Sequence, residues 1–469
     1  MTHCPLVIVG AGPAGLSAAS TTAEAGIPTL LIDENPRIGG QIFRQPAAAT
    51  DEAPDPQKAE LFRRFQAAGS KIESRLGTTV WGLFPPGQLA LLHDGQSALL
   101  RADNIILTPG AHEYVPPFPG WTLPGVMTPG AAQILVKSMN VSPGKRVLLA
   151  GTGPFLLVVA QTLHHAGTRV VGIIEMARRR ESWRVLPGLL ACPGLLKEGI
   201  GYLARLKRAG IPIHRGQVLV EARGDEQVQE AVFAPCNADG SPDRARSKSI
   251  SVDAICVGYG FVPRVQLAQL AGCRLHFDDA QGGWRPATDE NQQTSQTNVW
   301  SAGDGAGVAG ALVAQLEGTL AGLAVARRLD ALADAEFRAR RQSIARRLAR
   351  LRRFRAALDW LYRLRPALTD LAAPETVVCR CEEVTRAEVE TAIDAGGVEY
   401  RTLKTMTRAG MGPCQGMMCG PALCRFLAAR AGKPIERIGP PSVRPPIVPV
   451  GLGTLAEASA LSARMGATS

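Results

Sequence analysis

Short apolar runs ended by glycine recur along the first three hundred residues, and each predicts a strand that feeds a tight turn and a helix. Leu6-Val7-Ile8-Val9 is followed at once by Gly10-Ala11-Gly12-Pro13-Ala14-Gly15 and an Ala-rich stretch to Gly26. A second strand, Thr29-Leu30-Leu31-Ile32, ends at Asp33. The same order of signals returns later: Lys145 to Ala150 leads into Gly151-Thr152-Gly153-Pro154-Phe155-Leu156, and Val170 to Ile174 ends at Glu175. Both stretches predict βαβ units. Between residues 338 and 365 the period changes. Ile344, Leu348, Leu351, Phe354, Leu358, Leu361 and Leu364 recur at three- and four-residue steps, which predicts an amphipathic helix ended by Pro366. Thr385-Arg386-Ala387-Glu388 is a capping box that starts a short helix, stopped at Gly396-Gly397, and a further helix is expected from Gly420 to Ala429. After Ile438 a run of prolines (440, 441, 445, 446 and 449) predicts a tail extended over a neighbouring surface, with its last residues disordered.

The glycine spacing carries chemistry. Gly10 permits the tight turn, Gly12 lets a pyrophosphate approach the backbone, and Gly15 lets helix and strand pack closely. Phosphates then face the free N–H groups of the helix that opens at Pro13-Ala14. Asp33, eighteen residues after Gly15, stands where a carboxylate takes ribose hydroxyls. This motif alone leaves FAD and NAD level. Two later segments favour FAD. Asn104 to Ala111, which includes Gly110, looks like the strand that returns to the first nucleotide domain in two-dinucleotide flavoproteins, and Asn298 to Gly305 resembles their closing flavin motif, in which Asp304 after Gly303 holds the ribityl chain. In the second unit, Gly151 and Gly153 mark a possible nucleotide loop in which Leu156 replaces the third glycine. Glu175 there favours a free 2′-hydroxyl, whereas Arg178, Arg179 and Arg180 speak against that choice. Occupancy by NAD(P)H or another adenine nucleotide stays open beside an empty, structural domain.

Four cysteines near the C-terminus, Cys379-x-Cys381 and Cys414-x4-Cys419, suit a [2Fe–2S] cluster held by four thiolates. A structural zinc site also takes four thiolates, but its pairs are usually spaced by two to four residues, wider than Cys-x-Cys. Cys419 is expected at a helix start, where the positive end favours an anionic cluster. Cys4, Cys192, Cys236, Cys256, Cys273 and Cys424 are expected to be packing residues. No Cys-x-x-Cys occurs between residues 1 and 378, and the stretch Gly39 to Gln45 has no cysteine, which excludes a thioredoxin-reductase type of mechanism.

Composition fits a large enzyme. A chain of 469 residues exceeds one ordinary core. No apolar run reaches the ~18 residues of a membrane span, and the N-terminus does not have the form of a signal peptide. Ten cysteines without a disulfide pattern suggest a reducing cytoplasm. Most of the formal net charge of +11 comes from residues 338 to 365, with eleven arginines and one acid, Asp359. No nucleic-acid module accompanies this basic helix. It is expected to be solvated, docked on an acidic partner, or lying on a membrane surface at the inner face.

The chain resembles the large FAD-bearing α subunit of heteromeric amino-acid and amine dehydrogenases: opine oxidase, hydrogen cyanide synthase, D-hydroxyproline dehydrogenase and dye-linked L-proline dehydrogenase. It is also related to the α subunit of sarcosine oxidase. The residues that carry the likeness are Asp33 to Gln41, Gly120-Trp121-Thr122-Leu123-Pro124-Gly125-Val126, Cys379-Arg380-Cys381-Glu382-Glu383, Gly412 to Gly416 and Arg444-Pro445-Pro446. The resemblance implies an α/β two-dinucleotide-domain flavoprotein with a small helical [2Fe–2S] domain like bacterioferritin-associated ferredoxin. The implied boundaries are 1–115 with 285–332 for the FAD domain, 116–284 for the inserted nucleotide-type domain, 333–370 for a basic linker, 371–438 for the cluster domain and 439–469 for the tail. It also implies that Glu34, Arg37, Gly40, Gln41 and Val80 line the FAD site. In such a complex a β subunit resembling D-amino-acid oxidase, with its own FAD, oxidises the substrate. A small ferredoxin-like γ subunit and a second flavin at a subunit interface belong to the same picture. No convincing substrate base is visible in this chain. The alternative reading is a stand-alone NAD(P)H-dependent reductase that passes electrons from flavin through the cluster to a protein acceptor.

Overall fold

The apolar runs become the central strands of two parallel arrays. In a computed structural model, which describes residues 2–45 and 56–458, the chain forms two compact units.

The first unit holds the described residues up to His112, Pro263–Ala349 and those from Val443 onward. Its sheet runs in the order Ile72–Arg75, Thr29–Ile32, Thr2–Val9, Gln96–Leu107, Gln88–His93 and Thr78–Phe84, with Val299–Ser301 also on Gln96–Leu107. Val7 faces Leu30 on one side and Ile105 on the other, all parallel. Leu6, Val7, Ile8, Leu31, Ile32 and Ile106 are fully buried, so both faces of this sheet are covered, which is why its strands are apolar throughout rather than alternating. The cover on one face is the helix pair Pro13–Glu24 and Ala311–Arg328. These helices meet backbone to backbone. A Cβ on Gly318 would lie 2.0 Å from the Ala14 carbonyl oxygen, and one on Gly322 would lie 2.9 Å from that of Ala18.

The second unit holds Glu113–Val262 and Arg350–Ser442. Its parallel sheet runs Ile213–Arg215, Arg169–Glu175, Arg146–Gly151, Ala254–Gly258 and Val126–Met127, accompanied by an antiparallel sheet of Gln217–Arg223, Glu230–Pro235 and Lys248–Ser251. The cluster region follows with helices Arg386–Asp394, Tyr400–Thr407 and Gly420–Ala431. The capping box forms as expected: Glu388 N–H donates to Thr385 Oγ1 at 3.3 Å, and Thr385 N–H to Glu388 Oε2 at 2.7 Å.

The compact units and helix ends divide the chain differently from the boundaries expected above. Residues 263–284 group with the first unit, because Leu267, Ala268, Ala271 and Cys273 pack into the same core as Val7, Val9 and Leu89. The expected cluster region 371–438 shares a compact unit with the second nucleotide-type fold, and its Leu371 and Ala422 enter a core of that fold. The basic helix spans Asp334–Leu361 and stops before Pro366. The chain leaves the helix early so that Arg363 (3.1 Å) and Arg365 (2.7 Å) converge on Glu181, a buried acid. Residues 440–450 of the proline-rich tail lie extended, with Ile447 N–H donating to the Trp81 carbonyl at 2.9 Å and Val448 and Val450 packed beside Trp81, whereas residues 452–458 turn into a short helix. Disorder expected for its last residues concerns positions outside the described residues. Among the described residues no helix is long and apolar enough to cross a membrane.

Candidate functional sites

The first glycine turn is built from contacts that a side chain would destroy. Gly10 has φ +109, and a Cβ on it would lie 2.2 Å from the Thr108 carbonyl oxygen. Thr108 Oγ1 closes the turn by donating within 2.9 Å of both the Val9 and Gly10 carbonyl oxygens. A Cβ on Gly15 would lie 1.8 Å from the Gly10 carbonyl oxygen. Gly12 differs. Its φ is an ordinary −79, and the only atom near a Cβ there would be Gly40 Cα at 3.9 Å. Gly40 in turn, at φ +62, has room for no Cβ against Gly12. The turn therefore presents an open, side-chain-free face where Pro13 and Ala14 begin the helix. That is the cradle a pyrophosphate requires.

Asp33, buried at the end of its strand, orders this loop. Its carboxylate accepts from Ala11 N–H at 2.5 Å, Asn35 N–H at 2.7 Å and Asn35 Nδ2 at 2.9 Å. Glu34 pairs with Arg264 at 2.9 Å, and Arg44 reaches Asn35 (3.3 Å) and Gln41 (3.0 Å). Arg37 and Gln41 are exposed beside them. Val80 sits on Thr78–Phe84 with its side chain in the sheet core. Gly110 (φ +72) has open space around its missing Cβ. Gly303 lies against Ala14 Cβ and donates its N–H to Glu317 at 3.1 Å. One oxygen of Asp304 accepts the N–H groups of Ala309 (2.9 Å) and Gly310 (3.0 Å) and so holds the turn that leads into the helix Ala311–Arg328. Arg264, Arg44, Thr108 and Glu317 were not singled out from sequence. Arg264 meets Glu34 across 230 positions, a distance no local pattern reports.

The second glycine turn is closed on itself. A Cβ on Gly151 would lie 1.8 Å from the Gly258 carbonyl oxygen, whereas Gly153 (φ +118) faces open space. Glu175 is turned into this loop, accepting Thr152 Oγ1 (2.8 Å), Ala177 N–H (2.8 Å) and Gly153 N–H (3.2 Å). Burial pushes its carboxyl up to about 7, against the pull of those donors. Leu156, at the place of the third glycine, is core.

In the cluster region the four cysteines form two thiol pairs, Cys379 with Cys419 and Cys381 with Cys414. Among the described residues no three His, Cys, Asp or Glu side chains converge tightly enough for a single ion. The two pairs lie within electrostatic reach of each other, Cys419 with Cys414 and Cys381 with Cys379. The Cys419 thiol donates to Cys379 and, with backbone amides of Gly410, Glu382 and Cys381, holds Cys379 down to about 5. The same shared proton pushes Cys419 upward. The loops are tightly wound: Glu383 (φ 54), Arg408 (φ 65) and Gln415 (φ 53) all adopt the left-handed conformation. Arg408 ties them together through Glu382 at 2.9 Å. Thiols surrounded by amide donors are a donor set for an anionic iron–sulfur centre. Cys424 is buried and packs near Gly439, as expected for a core residue.

Comparison with known proteins meets this geometry at both ends. The pyridine nucleotide-disulphide oxidoreductase family matches residues 5–318, and the BFD-like [2Fe-2S] binding domain matches residues 377–429. The HcnB subunit of hydrogen cyanide synthase from Pseudomonas aeruginosa is 39% identical over 421 residues, 88% of this chain and 90% of that protein. An opine oxidase subunit from Agrobacterium tumefaciens is 36% identical over 478 residues, 96% of this chain and 91% of its own. The chain belongs to the family of HcnB and these opine oxidase subunits. Members of this family are flavin oxidoreductases, and this chain carries FAD and a [2Fe–2S] cluster. The crystal structure of L-proline dehydrogenase from P. horikoshii shares the fold, with a TM-score of 0.69 over 97% of this chain and 79% of that one at 19% identity.

Proposed function

We propose that this chain is the electron-accepting subunit of a heteromeric amino-acid or amine dehydrogenase whose substrate (an opine, a D-amino acid or a cyclic imino acid) is oxidised on a partner subunit. The observation that carries this reading is the union of a nucleotide cradle around Gly12 with a four-thiol site in one chain, in a family whose similar members are named as subunits. When bound, FAD takes up electrons in pairs and releases them singly, and a [2Fe–2S] cluster carries them one at a time.

The residues supply the rest. Gly10, Gly12 and Gly15 bring helix N–H groups to the pyrophosphate, with Pro13 and Ala14 opening that helix. Asp33 holds the loop through Ala11 N–H and is placed for the ribose, while Asp304 orders the turn at Gly303 beside the ribityl chain. Glu34, Arg37, Gly40, Gln41, Val80 and Gly110 complete the FAD surround. Cys379, Cys381, Cys414 and Cys419 hold the cluster. Gly151, Gly153 and Glu175 are not assigned to nicotinamide chemistry, because Glu175 is buried with its carboxyl pushed up to about 7 and Leu156 fills the place of the third glycine. The partner is proposed to resemble D-amino-acid oxidase.

The test is anaerobic dye reduction by the purified chain, by itself and with its partner. Reduction by an amino acid, opine or imino acid should require the partner, and NADH should not bleach the bound flavin. Substrate-driven reduction by the chain on its own would sink the division of labour, and rapid bleaching by NADH would replace it with a reductase.

A further inference from the structure

The helix Tyr400–Thr407 carries one aromatic residue into the heart of the four-cysteine region. Tyr400 is 3% exposed. Its hydroxyl occupies the space left by two missing side chains: a Cβ on Gly410 would lie 2.6 Å from the phenol oxygen, and one on Gly416 would lie 2.7 Å from it. Those glycines flank Cys414, and Gly410 also donates its amide to Cys379. Gly420, directly after Cys419, is the third neighbour, its Cβ position 3.4 Å from the same oxygen. The phenol oxygen therefore stands where three segments meet, each adjoining a cysteine or donating to one. It lies within electrostatic reach of Cys419, Cys379 and Cys414.

We propose that the Tyr400 hydroxyl is a positioning group for the iron–sulfur centre, keeping the Cys379, Cys414 and Cys419 segments at their working separation and placing one O–H dipole beside the cluster. The inference rests on those cysteines being the cluster ligands. A buried phenol keeps its proton at neutral pH. A polar O–H beside a cluster stabilises its more negative, reduced form, because hydrogen-bond donors and burial tune cluster potentials. Leucine or phenylalanine would fill part of the same space, but neither offers a dipole.

Two variants separate the hydroxyl from the ring. Tyr400→Phe and Tyr400→Leu are prepared anaerobically as the full chain, and iron content, the EPR spectrum of the reduced cluster and its midpoint potential are measured by redox titration. The expected result is that Tyr400→Phe, with its FAD content unchanged, already lowers the potential and alters the EPR line shape, or loses iron outright. Tyr400→Phe matching the wild type in potential, spectrum and iron, with only Tyr400→Leu perturbed, would make Tyr400 a packing residue and overturn the proposal. Wild-type protein purified anaerobically without a [2Fe–2S] signal would instead strike the ligand assignment, and this inference with it.

Discussion

Gly12 and Gly15 stand three residues apart, yet a side chain at each meets a different obstacle. At Gly15 the obstacle is the protein itself, a carbonyl oxygen 1.8 Å from the new Cβ; at Gly12 it is only open space as far as Gly40. Gly12→Val should therefore fold with a near-native melting temperature and lose FAD by about tenfold or more, since one branched side chain in a cradle costs over ~1.4 kcal/mol of binding. Gly15→Val should be the reverse in cause, with FAD lost because the fold loosens. Circular dichroism melting beside flavin absorbance separates the two. Equal, complete FAD retention in Gly12→Val would mean the cofactor sits elsewhere. The glycine spacing was readable because φ, close approach and helix start are local demands. Thr108, which closes the turn, and Arg264, which pairs with Glu34, were not, because nothing near either residue in the chain announces a contact some hundred or more positions away.

At the scale of the element, the helix Asp334–Leu361 is the main conspicuous surface feature. Six of its nine arginines fall into two groups. Arg340, Arg341 and Arg355 find acids at Glu24 and Glu336, at Glu290 and at Asp359 respectively. Arg346, Arg350 and Arg353 are exposed and carry no ion pair among the described residues. Like charges at such spacing repel along a helix by a few tenths of a kcal/mol each, about 0.2–0.5, so a partner that covers them gains that much before any new contact. Reversing all three to Glu should leave FAD and iron content intact and weaken assembly with the partner, with the difference from the wild type shrinking as salt rises and screens the charges. Sedimentation of the mixed proteins at two salt concentrations checks it, and unaltered assembly would place the docking face elsewhere. The periodic apolar positions disclosed this helix. Its end was not disclosed, because the chain departs toward Glu181, whose burial and double arginine pairing only the tertiary fold creates.

For the whole molecule, the first glycine turn and the four cysteines fall in different compact units. Cys381→Ser and Cys414→Ser should each abolish the visible absorption of the cluster and leave flavin absorption and FAD stoichiometry unchanged. Flavin loss in parallel with iron would show that the two units fold as one. The order of two nucleotide folds followed by a cluster region was legible from three glycine motifs and four cysteines. Its joints were not. Residues 263–284 join the first core through Leu267 and Ala271, and the Trp121 of the Gly-Trp-Thr-Leu-Pro-Gly stretch proves to donate its Nε1–H to the Val377 carbonyl at 2.6 Å, just before the first cysteine. Arg380, between the first two cysteines, lies over the same indole ring at 5.4 Å. Sequence likeness marked that stretch without disclosing its task.

The acid that closes the second glycine loop ties folding to protons. Unfolded, Glu175 gives up its proton near 4.5; folded, it keeps it up to about 7. Between those values the chain takes up a proton as it folds, so the contribution of this residue is fully present below pH 4.5 and fades as pH climbs to 7. The span corresponds to roughly 3 kcal/mol at most. Chemical denaturation from pH 5 to 8 should show the wild type losing stability relative to Glu175→Gln, which has no such proton to surrender. Parallel curves would mean the carboxylate stays charged in its loop. A turn shaped like a cofactor cradle thus lends most to folding in mild acid and least above neutrality.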